Sequence, residues 1–159
     1  MLYLARRIGP TDRKGALKLL DQASGIAQTL DSDREQTHAQ LALAILYCLL
    51  KSDRGFTIME SLVPRLNELI AAAVKLDGFE TGYLRDGEWN MSGEGNLGRL
   101  LRGLAQNAGA FASCDFDRSV SLASQFERPE IRLMAQLKLA QGILAGPIKS
   151  LPDVPPPNL

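Results

Sequence analysis

Three observations predict an all-α fold built of antiparallel helical hairpins. Apolar residues recur at i, i+3, i+4 and i+7 through several long segments, which places them on one face of a 3.6-residue period. The one long segment without that period, residues 77–96, shows no strand-like alternation in its place. Two distant stretches also carry the same alanine–leucine spacing.

Residues 11–30 hold the cleanest stripe: Ala16, Leu19, Leu20, Ala23, Ile26, Ala27 and Leu30. Thr11 or Asp12 can cap its start by accepting an orphan backbone N–H. The acidic turn Asp31-Ser32-Asp33 breaks the helix and restarts it. From 33 to 51, His38, Leu41, Ala42, Ile45, Leu46 and Leu49 form a second stripe, and the end of this helix is apolar nearly all round. That composition predicts the buried central helix. Lys51 suits the negative end of the helix dipole, and Gly55 reads as following the helix end.

Thr57 and Glu60 match a capping box, so a third helix is expected over Thr57–Leu76. Pro64 either kinks it or marks its first turn. Residues 77–96 then read as a loop, because Gly78, Gly82, Gly87, Gly93 and Gly95 interrupt every helical pattern. About twenty structureless residues are unusual in a compact domain, and such loops are functional or disordered. Leu97, Leu100, Leu101, Leu104, Ala105, Ala108 and Phe111 resume the helical period. Two more helices follow, Asp115–Gln125 and Pro129–Leu144, the latter with proline in its first turn. Residues 1–146 thus read as one helical domain and 147–159 as a proline-rich tail.

The repeated spacing joins the two ends of this domain. Ala39-Gln40-Leu41-x-Leu43-Ala44 is echoed by Ala135-Gln136-Leu137-x-Leu139-Ala140, each preceded by a helix with an alanine–leucine stripe. The pattern resembles the helical-hairpin repeats of tetratricopeptide-like and HEAT-like α-solenoids, although the tryptophan, glycine and tyrosine positions of a tetratricopeptide consensus are not met. The resemblance implies a short α-solenoid with a helix-lined groove for a protein partner. An irregular helical bundle would show similar spacing.

Eighteen basic residues balance eighteen acidic ones, so no long-range attraction to phosphate backbones is expected and nucleic acid is not a predicted partner. The longest apolar run, Leu41–Leu50, is about half of what spans a bilayer. The order of charges at Met1–Arg7 is the reverse of a signal peptide's. The chain as given therefore reads as cytoplasmic, or as secreted or periplasmic where a leader precedes it. Two cysteines, Cys48 and Cys114, read as small hydrophobes within helices or as a single bridge. With one histidine and no Cys-x-x-Cys pair, neither zinc nor a cofactor is expected.

Several motifs carry a sharper reading beside a plain one. Gly55-Phe56-Thr57-Ile58-Met59-Glu60 matches the type IV pilin processing site, but Pro64, Arg65, Asn67 and Glu68 interrupt the apolar run that such a fibre core requires. Oxygens alternate from Asp86 to Glu94 as in a calcium loop, but Met91 and Leu97 stand where glycine and a bidentate carboxylate belong. Lys149 to Pro157 fits a proline-rich ligand or a plain linker. His38 reads as a satisfied core histidine; an active site around it and the acidic residues Glu80, Asp86 and Glu88 is the catalytic alternative.

The aromatics Phe79, Tyr83 and Trp89 either anchor the loop or meet a partner, since such residues dominate binding hot spots. Arg99 and Arg102, beside the loop, are expected to contribute charge recognition. The functional expectation is a non-catalytic protein-binding or scaffold subunit, acting on a protein partner or a second copy. A structural subunit without independent binding activity is the alternative.

Overall fold

A computed structural model describes residues 1–77, 79, 82–90 and 95–145. Among them are seven α-helices, α1 (Leu2–Ile8), α2 (Arg13–Gln28), α3 (Asp33–Leu50), α4 (Ser52–Leu76), α5 (Asn96–Cys114), α6 (Phe116–Ser124) and α7 (Pro129–Leu144). A single antiparallel hairpin, β1 (Leu84–Arg85) and β2 (Glu88–Trp89), sits between α4 and α5. The fold is all-α, as the periodicity predicts. The proline-rich tail and residues Gly78, Glu80, Thr81, Met91, Ser92, Gly93 and Glu94 of the loop lie outside the described residues, and with them the proline-ligand reading and part of the calcium-loop reading.

Local chemistry starts the helices where expected. Asp12 caps α2 by accepting from the Gly15 N–H at 2.8 Å. Ser32 accepts from Glu35 at the start of α3, and Asp115 accepts from Arg118 at 3.0 Å at the start of α6. Each cap satisfies a donor that the first turn leaves without an intrahelical acceptor.

The helix α3 is the centre. Leu41, Ala44, Ile45 and Cys48 belong to the larger core, shared with α4, α5, α6 and α7. Leu43, Leu46, Tyr47 and Leu50 belong to a second core, shared with α1 and α2. A helix with apolar residues all round its second half has no face to give to water, so it must be covered on both sides. The chain order follows from this: α1 and α2 cover one side, and α4 and α5 the other. α7 packs mainly along α5, and α6 bridges α4, α5 and α7.

Three elements differ from the sequence expectations. The N-terminal residues form α1, whose Ala5 is fully buried against the second core. Next, α4 begins at Ser52, one residue after α3, and not at Thr57. Lys51 makes the break with φ of −153° and ψ of 82°, outside the helical region, while the Arg13 guanidinium caps the Leu50 carbonyl. Thr57 is therefore inside the helix, its hydroxyl donating to the Asp53 carbonyl at 2.9 Å, and no capping box forms. Pro64 is also interior, leaving the Glu60 carbonyl without its usual acceptor role in the helix ladder. Third, the loop contains the hairpin. Asp86 and Gly87 have φ of 54° and 82°, the left-handed pair that a two-residue hairpin turn demands.

Gly55 does not end a helix; it is the crossing point of two. A Cβ placed on it would lie 2.5 Å from the Cys48 amide nitrogen and 2.7 Å from the Ala44 carbonyl oxygen. The α3 and α4 backbones touch here because neither residue 55 nor residue 44 has a large side chain. A second such contact joins α5 to α7, where a Cβ on Gly142 would lie 2.3 Å from the Gly109 Cα.

Gly55→Ala is accordingly expected to destabilise the chain by about 2–3 kcal/mol in urea denaturation, because two backbones must separate to admit one methyl group. Gly25→Ala is the counterpart, since nothing lies within 4 Å of the new atom. It should stabilise by about 0.5–1 kcal/mol through helix propensity alone.

Candidate interaction surface

The loop aromatics separate into an anchor and an outlier. Trp89 is 6% exposed and belongs to the main core. Its ring stacks on Tyr83 with centroids 5.7 Å apart and planes inclined by 26°. Gly95 lies against the same tyrosine, and a Cβ there would come within 3.0 Å of the Tyr83 hydroxyl. The hairpin is held to the start of α7 by polar contacts as well. Arg128 donates to the Gly87 carbonyl at 3.3 Å, and Glu130 accepts from the Trp89 backbone N–H. The Arg128 guanidinium paired with Glu130 holds that carboxyl below the usual carboxylate range. Inside the hairpin, the Asn90 N–H donates to the Tyr83 carbonyl at 2.7 Å and the Leu84 N–H to Asp77 at 3.0 Å.

Trp89 and Tyr83 thus fasten the loop to its own domain and offer little to a partner. Phe79 is 85% exposed just beyond α4. Arg99 is exposed on the first turn of α5, where it donates to the Asn96 side chain. Arg102 is half-buried one turn further on.

His38 is half-buried on α3, and burial together with the charges of Arg34 and Arg99 pushes its pKa below the ordinary 6.5. Among the described residues, no group of three or more His, Cys, Asp or Glu side chains is placed to hold a metal ion. An open cleft of about 350 Å³ lies between α4 and the α6–α7 turn, beside Pro64, Asn67, Gln125 and Glu127. Its polar centre is already occupied by the protein itself. The Asn67 amide donates to the Gln125 carbonyl at 2.8 Å and accepts from the Glu127 N–H at 3.2 Å, clamping the turn.

The surface that sequence reasoning missed is on α7. Ile131, Ala135 and Leu139 turn into the core. Leu133 and Leu137 stand 58% and 54% exposed, and Leu144 stands 87% exposed. With Ala140, also exposed, they fall at i, i+4, i+7 and i+11 on one outward face. The signal was present: α7 is apolar on more of its circumference than one buried stripe explains.

The internal echo tells what such a face does elsewhere. Leu41, Ala44 and Cys48 of α3 correspond to Leu137, Ala140 and Leu144 of α7. On α3 those residues are buried in the core shared with α5, and Gly103 of α5 lies against the Leu41 side chain. On α7 the same positions face outward.

No described helix is long and apolar enough to cross a membrane. Comparison with protein-family models, with curated proteins and with solved structures found no match to this chain.

Trp89, the only tryptophan, reports directly on the hairpin. Its emission should be blue-shifted and shielded from acrylamide in the native protein, and Tyr83→Ala should shift it to the red while far-ultraviolet circular dichroism keeps its helical signal.

The folded chain binds a proton at His38 less readily than the unfolded chain, so stability falls as pH drops below 6.5. His38→Gln removes that component. Chemical denaturation of both proteins from pH 7.5 to 5.5 should show the variant gaining on the wild type as the pH falls, with parallel curves refuting the assignment.

Proposed function

We propose that this protein is a non-catalytic scaffold or assembly subunit that holds a protein partner against a helix face, and that the outer face of α7 is where it does so. The observation that carries this reading is the exposure of Leu133, Leu137 and Leu144 on one side of a helix whose other side is core. Isolated exposed apolar residues are ordinary on protein surfaces, whereas a row of leucines on one helix face points to contact with another molecule.

The occupant favoured by the internal echo is another helix with small residues along its contact face. The counterpart of this face on α3 receives α5, whose buried residues include Gly98, Ala105, Ala108, Ala110 and Ala112. A stack of helical hairpins in the manner of an α-solenoid would continue from α7 in the same way. Recognition would rest on apolar burial and on shape, because the described side chains near α7 engage their own turns. Arg132 donates to the Phe126 and Glu127 carbonyls at 3.0 and 3.1 Å, and Lys138 to Gln141 at 2.9 Å. Phe79 offers a separate apolar contact at the far end of α4.

A photo-crosslinking amino acid placed at Leu137 in cells tests the reading, with the same group at exposed Lys14 on α2 as control. A discrete crosslinked species from position 137, absent from position 14 and suppressed by Leu133→Glu, is the expected result. Equal or absent crosslinking at the two positions would remove the proposal.

A further inference from the structure

The reduced cysteines offer an inference independent of what α7 binds. Cys48 lies in the last turn of α3 and Cys114 is the final residue of α5. Although 65 residues separate them in the chain, the two thiols lie close enough to act on each other. Gly55 of α4 rests on the Cys48 backbone, and the next residue, Phe56, meets Phe111 of α5 at 5.9 Å, one turn before Cys114. Both thiols are free.

Their surroundings divide the roles. Cys48 is buried, with the α4 backbone pressed against its own at Gly55. Cys114 is half-buried at a helix end, so a reagent reaches it first. The neighbouring Cys114 thiol and burial push the Cys48 thiol up, while the proximity of Cys48 lowers that of Cys114. The nearby charges, Arg118 and Asp115, act in opposite senses: Arg118 favours the anion on Cys48, and Asp115 disfavours it on both cysteines.

The two helices run side by side toward the cysteines. Gly103 of α5 lies against Leu41 of α3, and Arg99 of α5 is close enough to His38 of α3 to act on its charge. These contacts and the cysteine pair occur in the same order along both helices. The two helices therefore run parallel, and their C-terminal ends meet at the thiols.

We propose that Cys48 and Cys114 form a reversible disulfide that ties the end of α3 to the end of α5, with Cys114 as the attacking thiol and Cys48 as the resolving one. The oxidant is a small disulfide such as oxidised glutathione. The Cys114 thiolate attacks one sulfur of it, its S–S bond breaks, and one glutathione leaves and takes up a proton. Cys48 then releases its proton and attacks the Cys114 sulfur of the mixed disulfide, expelling the second glutathione. The protein loses two protons and two electrons; one glutathione disulfide becomes two glutathione molecules.

The whole chain is incubated folded in glutathione buffers from fully reducing to fully oxidising, quenched with acid and analysed by mass spectrometry. The expected product is two hydrogens lighter than the reduced protein, carries no glutathione, and yields a Cys48–Cys114 linked peptide that dithiothreitol separates. Its thermal midpoint should rise by roughly 5–10 °C, because the bridge closes a long loop in the unfolded chain. Cys48→Ala should halt the reaction with glutathione retained on Cys114, whereas Cys114→Ala should leave Cys48 unmodified. Two unmodified thiols in the fully oxidising buffer, or glutathione retained on the wild type, would overturn the proposal. Both of those readings come from the wild-type chain and do not depend on either variant folding.

Discussion

Along the second half of α3, consecutive residues from Leu41 to Cys48 are all buried, and the placement of α1, α2, α4 and α5 answers to that fact. An α-helix can satisfy its own backbone, but it cannot hide a fully apolar circumference alone. Each buried leucine or isoleucine contributes roughly 1.5–3 kcal/mol relative to exposure, so leaving one side of α3 in water would cost more than a small domain's net stability can absorb. Two cores result, one on each side. The connection to α4 is a single residue, Lys51, which forces the chain to reverse at once and lays α4 back along α3. Gly55 makes that reversal sterically possible.

Against this apolar frame the polar contacts are orienting pins. Arg54 pairs with Asp21 of α2 while lying over the Tyr47 ring at 4.5 Å, and the Tyr47 hydroxyl donates to the same carboxylate at 2.6 Å. Arg118 of α6 reaches Asp53 and Glu60 at 3.0 and 2.8 Å and lies over Phe56. Arg65 meets Asp33 at 2.8 Å. Ion pairs this exposed contribute about 0–1 kcal/mol each, well below the burial of Phe56 beneath one of them. Their shared feature is that each joins α4 to a different helix, so together they select one rotation of α4 among those its apolar face would allow. The buried Asn107 has a similar bearing on α5: its amide donates to the Gly103 carbonyl at 2.8 Å and its oxygen stays unpartnered among the described residues. That oxygen is already buried, so its missing partner costs about 1–3 kcal/mol that the packing of α5 offsets.

The candidate surface was only partly legible. The sequence singles out Trp89 and Tyr83 as important, and they are, but as the fastening of a hairpin to the domain. Asp86-Gly87 between Leu84-Arg85 and Glu88-Trp89 was the readable sign of that hairpin, masked by the surrounding glycines and by strands of only two residues. The echo between α3 and α7 was readable as spacing, yet the two copies have different surroundings. Leu41 and Leu137 occupy matching places in matching motifs, and one is core while the other is surface.

By itself, the sequence determined what depends on neighbours within a few residues. It set the helical class, the stripes of α2, α3 and α5, the caps at Asp12, Ser32 and Asp115, and the central place of a helix apolar all round. These follow from hydrogen bonds and side-chain periodicity that close within one or two turns. Only the tertiary structure decided that Gly55 joins two helices and ends neither, that Pro64 lies inside α4, that Cys48 lies near Cys114, and that no described helix covers the outer leucines of α7. Each depends on which distant segment arrives at a given face. That is set by the packing of both sides of α3 together, and no local pattern encodes it.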